Sequence, residues 1–163
     1  MQAPATLGLA LVPLMLTLGA PRTPIAGRRA ARAGSTCNAI VSDAPSVTST
    51  NSSAKIPTPA GGAMSDGTYV LSSMTIYTAL PFPGITLSSL MQISGGTIQQ
   101  VTNMNGEEKR FTTSFATAGP SIAMTDTCPM RKSGTYAFTA TPTEFRMYLT
   151  SPFGKIEQTF TKR

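Results

Sequence analysis

From residue 66 to the C-terminus, hydrophobic and polar residues alternate in short runs that turn residues separate. The clearest run covers residues 109–117, where Phe111, Thr113 and Phe115 fall on one face and the residues between them on the other. A period of two is that of a β-strand, because successive side chains point to opposite faces of the sheet. No window repeats at three to four residues with good helix formers. The pattern therefore predicts an all-β domain.

Turn residues divide this region into eight predicted strands. Asp66-Gly67 opens the first strand, Gly95-Gly96 and Asn105-Gly106 are hairpin signals, and the segment Cys128–Gly134 is predicted to be a loop. Short connections make sequential strands pair, which predicts an antiparallel up-and-down meander that closes, or nearly closes, into a small barrel. The predicted strands cover 68–78, 87–93, 97–104, 109–117 and 121–126, followed by three strands around 136–138, 145–149 and 156–160.

The N-terminal 33 residues have features of an export signal. Leu7 to Ala20 is almost wholly apolar, which matches a signal-peptide core and is too short for a membrane-spanning helix. Ala31-Arg32-Ala33 is a small-residue cleavage site, although no Lys or Arg precedes the apolar run. We predict a leader over 1–33, with a misassigned start codon or a disordered tail as the alternative.

Residues 34–65 form a low-complexity stretch of Ser, Thr, Pro, Ala and Gly. Such a composition buries little apolar surface and so does not offset the entropy lost on ordering. We therefore predict a disordered linker over 34–65 and a β-barrel domain over 66–163.

The positive charge of the chain is concentrated in the predicted leader. The formal net charge is +6, but four arginines, at positions 22, 28, 29 and 32, precede Gly34. From Gly34 onward nine Lys and Arg face seven Asp and Glu, with no basic stripe. The sequence therefore gives no support for nucleic-acid binding.

The chain has two cysteines, Cys37 and Cys128. In an exported protein two cysteines most simply form one disulfide. The alternative is a lipid-modified Cys37, which would leave Cys128 unpaired. Attachment to a membrane is expected only in that second case.

Residues that commonly carry catalysis are scarce. Histidine is absent, which excludes a Ser-His or Cys-His nucleophile and a His metal ligand. Glu107 and Glu108 follow a hairpin turn, and Arg131-Lys132 are predicted to be solvated loop charges. The sequence thus predicts a protein that is not an enzyme and needs neither metal nor cofactor.

The segment Asp66-Gly67-Thr68-Tyr69 resembles the Gly-x-Trp opening of lipocalin-like barrels, with Tyr69 in place of Trp. The three C-terminal strands, from Gly134 to Lys162, look like the ending of uncharacterised exported bacterial proteins of that type. The chain departs from true lipocalins in having no Trp, a short domain and no helix after the barrel. The resemblance implies a barrel that holds a small apolar ligand.

Aromatic and Met side chains on the strand faces are candidates for lining such a cavity, while their alternative role is ordinary core packing. The candidate lining residues are Tyr69, Phe111, Phe115, Tyr136, Phe138 and Met147. We predict a non-enzymatic binding or carrier protein that is periplasmic, associated with the outer membrane or extracellular. The alternative is a structural or protein-interaction module of the cell envelope, carried on the flexible linker.

Overall fold

A computed structural model describes residues 37–80 and 82–163, and the predicted leader over 1–33 lies outside the described residues. The described residues contain no helix long and apolar enough to cross a membrane. They form ten strands: β1 (Val47–Thr48), β2 (Thr50–Ser52), β3 (Gly67–Tyr77), β4 (Thr86–Ser94), β5 (Thr97–Met104), β6 (Glu107–Ala118), β7 (Ser121–Cys128), β8 (Lys132–Ala140), β9 (Glu144–Ser151) and β10 (Gly154–Lys162).

Strands β3 to β10 form a closed antiparallel barrel. Each pairs with the next along the chain, and β3 also pairs with β10, which completes the circle. The all-β class, the meander and its closure are thereby confirmed. Each of the eight strands therefore has a neighbour on both sides, although β3 and β4 pair only over 67–70 and 90–93, and β8 and β9 only over 137–140 and 145–148.

The connection between β7 and β8 is shorter than the predicted loop over Cys128–Gly134. Cys128 still pairs with Thr112, and Lys132 already pairs with Asp126, which leaves only residues 129–131 outside the strands. The prediction was wrong here because pairing with the neighbouring strand extends both strands through residues of low β-propensity.

The core fills the inside of the barrel with large apolar side chains from most of its strands. Phe138, Phe145 and Phe160 lie side by side, with ring centroids 6.2 Å apart for the first two and 6.1 Å for the last two. All three are essentially inaccessible to solvent. The core cluster comprises Tyr69, Leu71, Met74, Leu87, Met91, Ile93, Ile98, Ile122, Phe138, Phe145 and Phe160.

Residues 37–66, called the strap here, lie along the outside of the barrel. This corrects the prediction of a disordered linker over 34–65 for the part of it that the structure describes. β3 and β4 pair with each other only over 67–70 and 90–93. Further along, the strap supplies partners to both: β1 pairs with residues 86–87 of β4, and β2 runs parallel to residues 75–77 of β3.

The small and polar residues of the strap allow this close packing. Ser49 is buried, and its side chain accepts a hydrogen bond of 2.9 Å from the backbone nitrogen of Ile85. A Cβ atom on Gly61 would lie 2.2 Å from the carbonyl oxygen of Gly119, and Gly61 also has a positive φ of 70°. The small and polar residues of the strap therefore belong to a segment that hydrogen-bonds to the backbone of the barrel and its connections, and not to a solvated linker.

The predicted disulfide between Cys37 and Cys128 is present, with the two Cα atoms 5.4 Å apart. It fixes the first described residue of the strap to the end of β7 and closes a segment of 91 residues. Beside it, Thr112 donates a hydrogen bond of 2.8 Å to the carbonyl oxygen of Cys37. The sulfur of Cys37 is therefore engaged within the chain.

Candidate functional site

The two ends of the barrel are built differently because its strands alternate in direction. The connections at 78–80 with 82–85, 105–106, 129–131 and 152–153 all lie at one end, which we call the mouth. The other end, called the closed end, carries the connections 95–96, 119–120 and 141–143 together with the last residues of the strap.

The strap covers the closed end. Gly61 exchanges backbone hydrogen bonds of 2.9 Å and 2.7 Å with Phe138 and Ala140 of β8. Met64 packs against the core cluster, and the Tyr69 hydroxyl donates to the carbonyl oxygen of Ser65 at 2.8 Å. Burial raises the pKa of Tyr69, and the ammonium of Lys162 lies 5.9 Å from its ring centroid. Large side chains thus seal this end.

The inner wall is more polar towards the mouth. Gln100 donates to the hydroxyl of Ser89 at 2.8 Å and to that of Thr102 at 3.3 Å, and the two hydroxyls are 3.0 Å apart. These residues face inward because Gln100 is paired with Met91 of the core, and Thr102 with Ser89. The side chains form one hydrogen-bonded group across β4 and β5.

A second polar pair spans β6 and β7 on the same wall. The hydroxyl of Thr113 donates to a carboxylate oxygen of Asp126 at 2.6 Å. Thr113 shares the face of Phe111 and Phe115, as its alternation in the sequence predicts, and it is buried. Together the two groups place amide, hydroxyl and carboxylate oxygens along the inside of the barrel near its mouth.

The six candidate lining residues separate into two sets. Tyr69 and Phe138 are fully buried in the core cluster. The other four are half-buried on the inward faces of β6, β8 and β9, and all but Phe111 pack against that cluster: Phe111, Phe115, Tyr136 and Met147.

The position of the Tyr136 ring explains why residue 134 is a glycine. A Cβ atom on Gly134 would lie 2.7 Å from the hydroxyl oxygen of Tyr136, so the ring lies along β8 over Gly134. The bare backbone at Gly134 leaves room for the phenol on the inner wall.

Several inward-facing side chains near the mouth keep partial exposure to solvent. Water reaches such side chains through an end of the barrel or between β8 and β9, whose pairing stops at Ala137 and Tyr148. The partly exposed side chains are Gln100, Thr102, Phe111, Tyr136, Met147 and Gln158. Part of the interior towards the mouth is therefore accessible to solvent.

Sequence reasoning missed the polar residues of the inner wall. The alternation in β6 identified Thr113. Ser89 and Gln100 lie in β4 and β5, where polar and apolar residues do not alternate regularly along the strand. Leu90 and Val101 lie on the outer face and are buried all the same, which blurs the period of two.

An outer groove of about 350 Å³ lies between the strap and strands β8 to β10. Its walls include Ile56, Pro57 and Pro59 of the strap, with Tyr148 and Lys155 of the barrel. Next to it, the buried carboxylate of Glu157 accepts hydrogen bonds from the Tyr77 hydroxyl at 2.7 Å and from Arg146 at 3.3 Å. Burial and the bond to Glu157 raise the pKa of Tyr77 to about 12.

Within residues 37–80 and 82–163, no three Asp, Glu or Cys side chains converge in a way that could hold a metal ion. The acidic groups of the mouth are instead engaged in pairs, Glu107 with Lys109 at 3.6 Å and Glu108 with Arg110 at 2.8 Å. What the inner wall offers a molecule is hydrogen bonding and apolar contact.

No protein-family model matches the chain, and neither the curated proteins nor the solved structures include one with significant similarity to it.

Proposed function

We propose that the protein is an exported, non-enzymatic binding or carrier protein that holds a small apolar ligand in the mouth half of its barrel. The observation that carries this proposal is the partial exposure of inward-facing polar and aromatic side chains towards the mouth, among them Gln100, Thr102 and Phe111. Small barrels of eight strands either fill their interior with side chains or hold one ligand, and this barrel combines the two arrangements.

The proposed ligand is apolar with at least one hydrogen-bonding group. Phe111, Tyr136 and Met147 provide apolar contact, while Gln100 and Thr102 provide an amide and a hydroxyl. A polar group of the ligand that hydrogen-bonds to the amide of Gln100 or the hydroxyl of Thr102 fixes the orientation of the ligand.

Export is supported by the Cys37–Cys128 disulfide, because the cytosol of most organisms keeps thiols reduced. The closed eight-stranded meander entered through Gly67-Thr68-Tyr69 is compatible with a lipocalin-like fold. The alternative function, an envelope interaction module on a flexible tether, loses part of its motivation, since residues 37–66 lie on the barrel wall.

A titration with a fluorescent fatty acid tests the proposal. We expect saturable binding at one site. We expect Thr102→Trp, which places a large ring in the mouth half, to weaken it by about five- to 150-fold, which corresponds to an overpacking cost of roughly 1–3 kcal/mol. Thr125→Trp is the matched control, because Thr125 is also half-buried but lies on the outer face. Circular dichroism establishes that both variants fold. A wild-type protein that binds no probe, or equal binding by both variants, would contradict the proposal.

A further inference from the structure

The mouth carries most of the large apolar side chains that the described residues expose. These are Leu80 at 75%, Met130 at 78% and Phe153 at 58% exposed, each in a turn at this end, and Met104 at 38%, the last residue of β5. The one other exposed large hydrophobic residue in the described part of the chain is Val41. Exposed apolar side chains that cluster at one end of a barrel indicate an interaction surface.

Two of these turns also contact each other through aromatic side chains. The ring centroids of Phe82, in the connection before β4, and Phe153, in the connection before β10, are 4.7 Å apart. Two turns that are distant in sequence thus present neighbouring aromatic rings at the rim of the mouth.

The free charges around the mouth are positive. Lys55 follows β2 where that strand reaches the mouth, Arg131 and Lys132 lie at the turn before β8, and Lys155 is the second residue of β10. Within the described residues, none of these four side chains takes part in an ion pair.

The acidic groups at this end do not cancel that charge. Glu107 and Glu108 are each matched by a basic residue of β6, Lys109 and Arg110. Asp126 faces the inner wall, where Thr113 donates to it. The rim of the mouth therefore combines exposed apolar side chains with unpaired cations.

We propose that the mouth docks on the surface of an anionic phospholipid bilayer. Apolar side chains on turns enter the boundary between headgroups and acyl chains, and lysine and arginine beside them meet the negative headgroups. An apolar ligand alone would account for apolar groups inside the mouth but not for cations spaced around its outer rim. The inference goes beyond ligand binding and does not depend on it.

Sedimentation with vesicles tests the docking surface. We expect the disulfide-bonded protein to bind vesicles of phosphatidylglycerol and phosphatidylcholine and to bind phosphatidylcholine vesicles at least about tenfold more weakly. Raising the salt from about 0.1 M to about 0.5 M should weaken the first interaction because it screens the cations. Failure to bind the anionic vesicles at low salt would overturn the proposal.

Paired variants locate the surface. Met130→Asp with Phe153→Asp, and separately Arg131→Glu with Lys132→Glu, should each reduce binding to anionic vesicles about tenfold or more. Val41→Asp changes an equally exposed apolar residue away from the mouth and should leave binding within about twofold. Equal losses in all three proteins, or none in the two mouth variants, would place the contact elsewhere and overturn the assignment.

A single tryptophan gives a readout that does not depend on sedimentation, because the chain has none of its own. The emission of Phe153→Trp should shift to shorter wavelength with anionic vesicles and be quenched by brominated lipid, whereas that of Val41→Trp should not change. Capture of an envelope protein by the wild type without any such shift would identify a protein partner and overturn the lipid proposal. Fatty-acid titrations of the same variants, without vesicles, keep the two proposals distinguishable.

Discussion

Phe138 is a single residue whose substitution measures the packing of the barrel core. It is fully buried and contacts the ring of Phe145, which in turn contacts that of Phe160. Phe153 has the same side chain but is mostly exposed at the mouth. The two phenylalanines therefore form a matched pair for separating core packing from surface contact.

We expect Phe138→Ala to lower the free energy of unfolding by about 3–5 kcal/mol, because the deleted ring leaves a cavity that its neighbours only partly refill. Phe153→Ala, which loses one surface ring contact, should change it by less than about 1 kcal/mol. Urea denaturation of the two variants measures both values. Similar losses would mean that the interior is not packed around Phe138 as described.

Tyr77 gives a pH-dependent prediction at the same scale. Burial and the hydrogen bond to Glu157 raise its pKa from the ordinary value of 10.0 to about 12. Between these values the unfolded chain loses the phenolic proton while the folded protein keeps it. This contribution to stability is therefore fully present below pH 10.0 and is lost as the pH rises towards about 12.

Ultraviolet titration of the phenolate checks this prediction. We expect one of the four tyrosines to ionise near pH 12, and we expect that late step to vanish in Tyr77→Phe. Tyr136→Phe is the control, since it removes a hydroxyl outside the Glu157 cluster. If the late ionisation persists in Tyr77→Phe, the assignment is wrong.

At the scale of elements, the strap shows what composition alone does not reveal. Residues 37–66 are rich in Ser, Thr, Pro and Gly, yet they supply strands β1 and β2, bury Ser49 and cover the closed end. The disulfide holds the start of the strap. Asp43 also holds it through an ion pair, in which the guanidinium of Arg163 lies 2.6 Å from a carboxylate oxygen of Asp43. That guanidinium holds the pKa of Asp43 below its usual range.

Removing the disulfide tests how far it stabilises the fold. Replacement of Cys37 and Cys128 by Ala should lower the free energy of unfolding by about 2–4 kcal/mol, because a closed segment of 91 residues restricts the unfolded chain. Amide hydrogens of the strap should also exchange faster relative to those of β10. Guanidinium denaturation and hydrogen exchange measure the two effects. An unchanged midpoint would show that the disulfide adds nothing to the strap's own hydrogen bonds.

At the scale of the whole molecule, the strap completes the barrel where β3 and β4 separate. Residues 75–77 and 86–87 would present unpaired backbone groups without β1 and β2. Val47 packs against the core cluster in this region, whereas Val41 is 87% exposed. Closure of the fold thus depends on a segment outside the eight-stranded meander.

We expect Val47→Asp to displace β1 and expose the edges of β3 and β4, which makes the protein associate at high concentration. Val41→Asp should remain monomeric under the same conditions, because its side chain is already in water. Light scattering over a range of concentrations measures the difference. A monomeric, fully stable Val47→Asp protein would show that the strap is not needed to protect these edges.

The sequence by itself determined the eight strands of the barrel, their antiparallel order and the cysteine pair. These follow from local rules: a period of two marks strand faces, Gly95-Gly96 and Asn105-Gly106 mark hairpins, and two cysteines in a chain with an export-like leader have one simple pairing. The inward direction of Phe111, Thr113 and Phe115 also followed from alternation within one strand.

Only the tertiary structure decided how the strap runs, which end of the barrel is accessible and which outer residues are buried. The path of the strap depends on unpaired backbone groups of strands distant in sequence, which no local pattern encodes. Leu90, Val101 and Glu157 lie on outer faces and are nevertheless buried. The difference between the mouth and the closed end arises because alternate turns are brought together in space, which gathers Leu80, Met130 and Phe153 at one end.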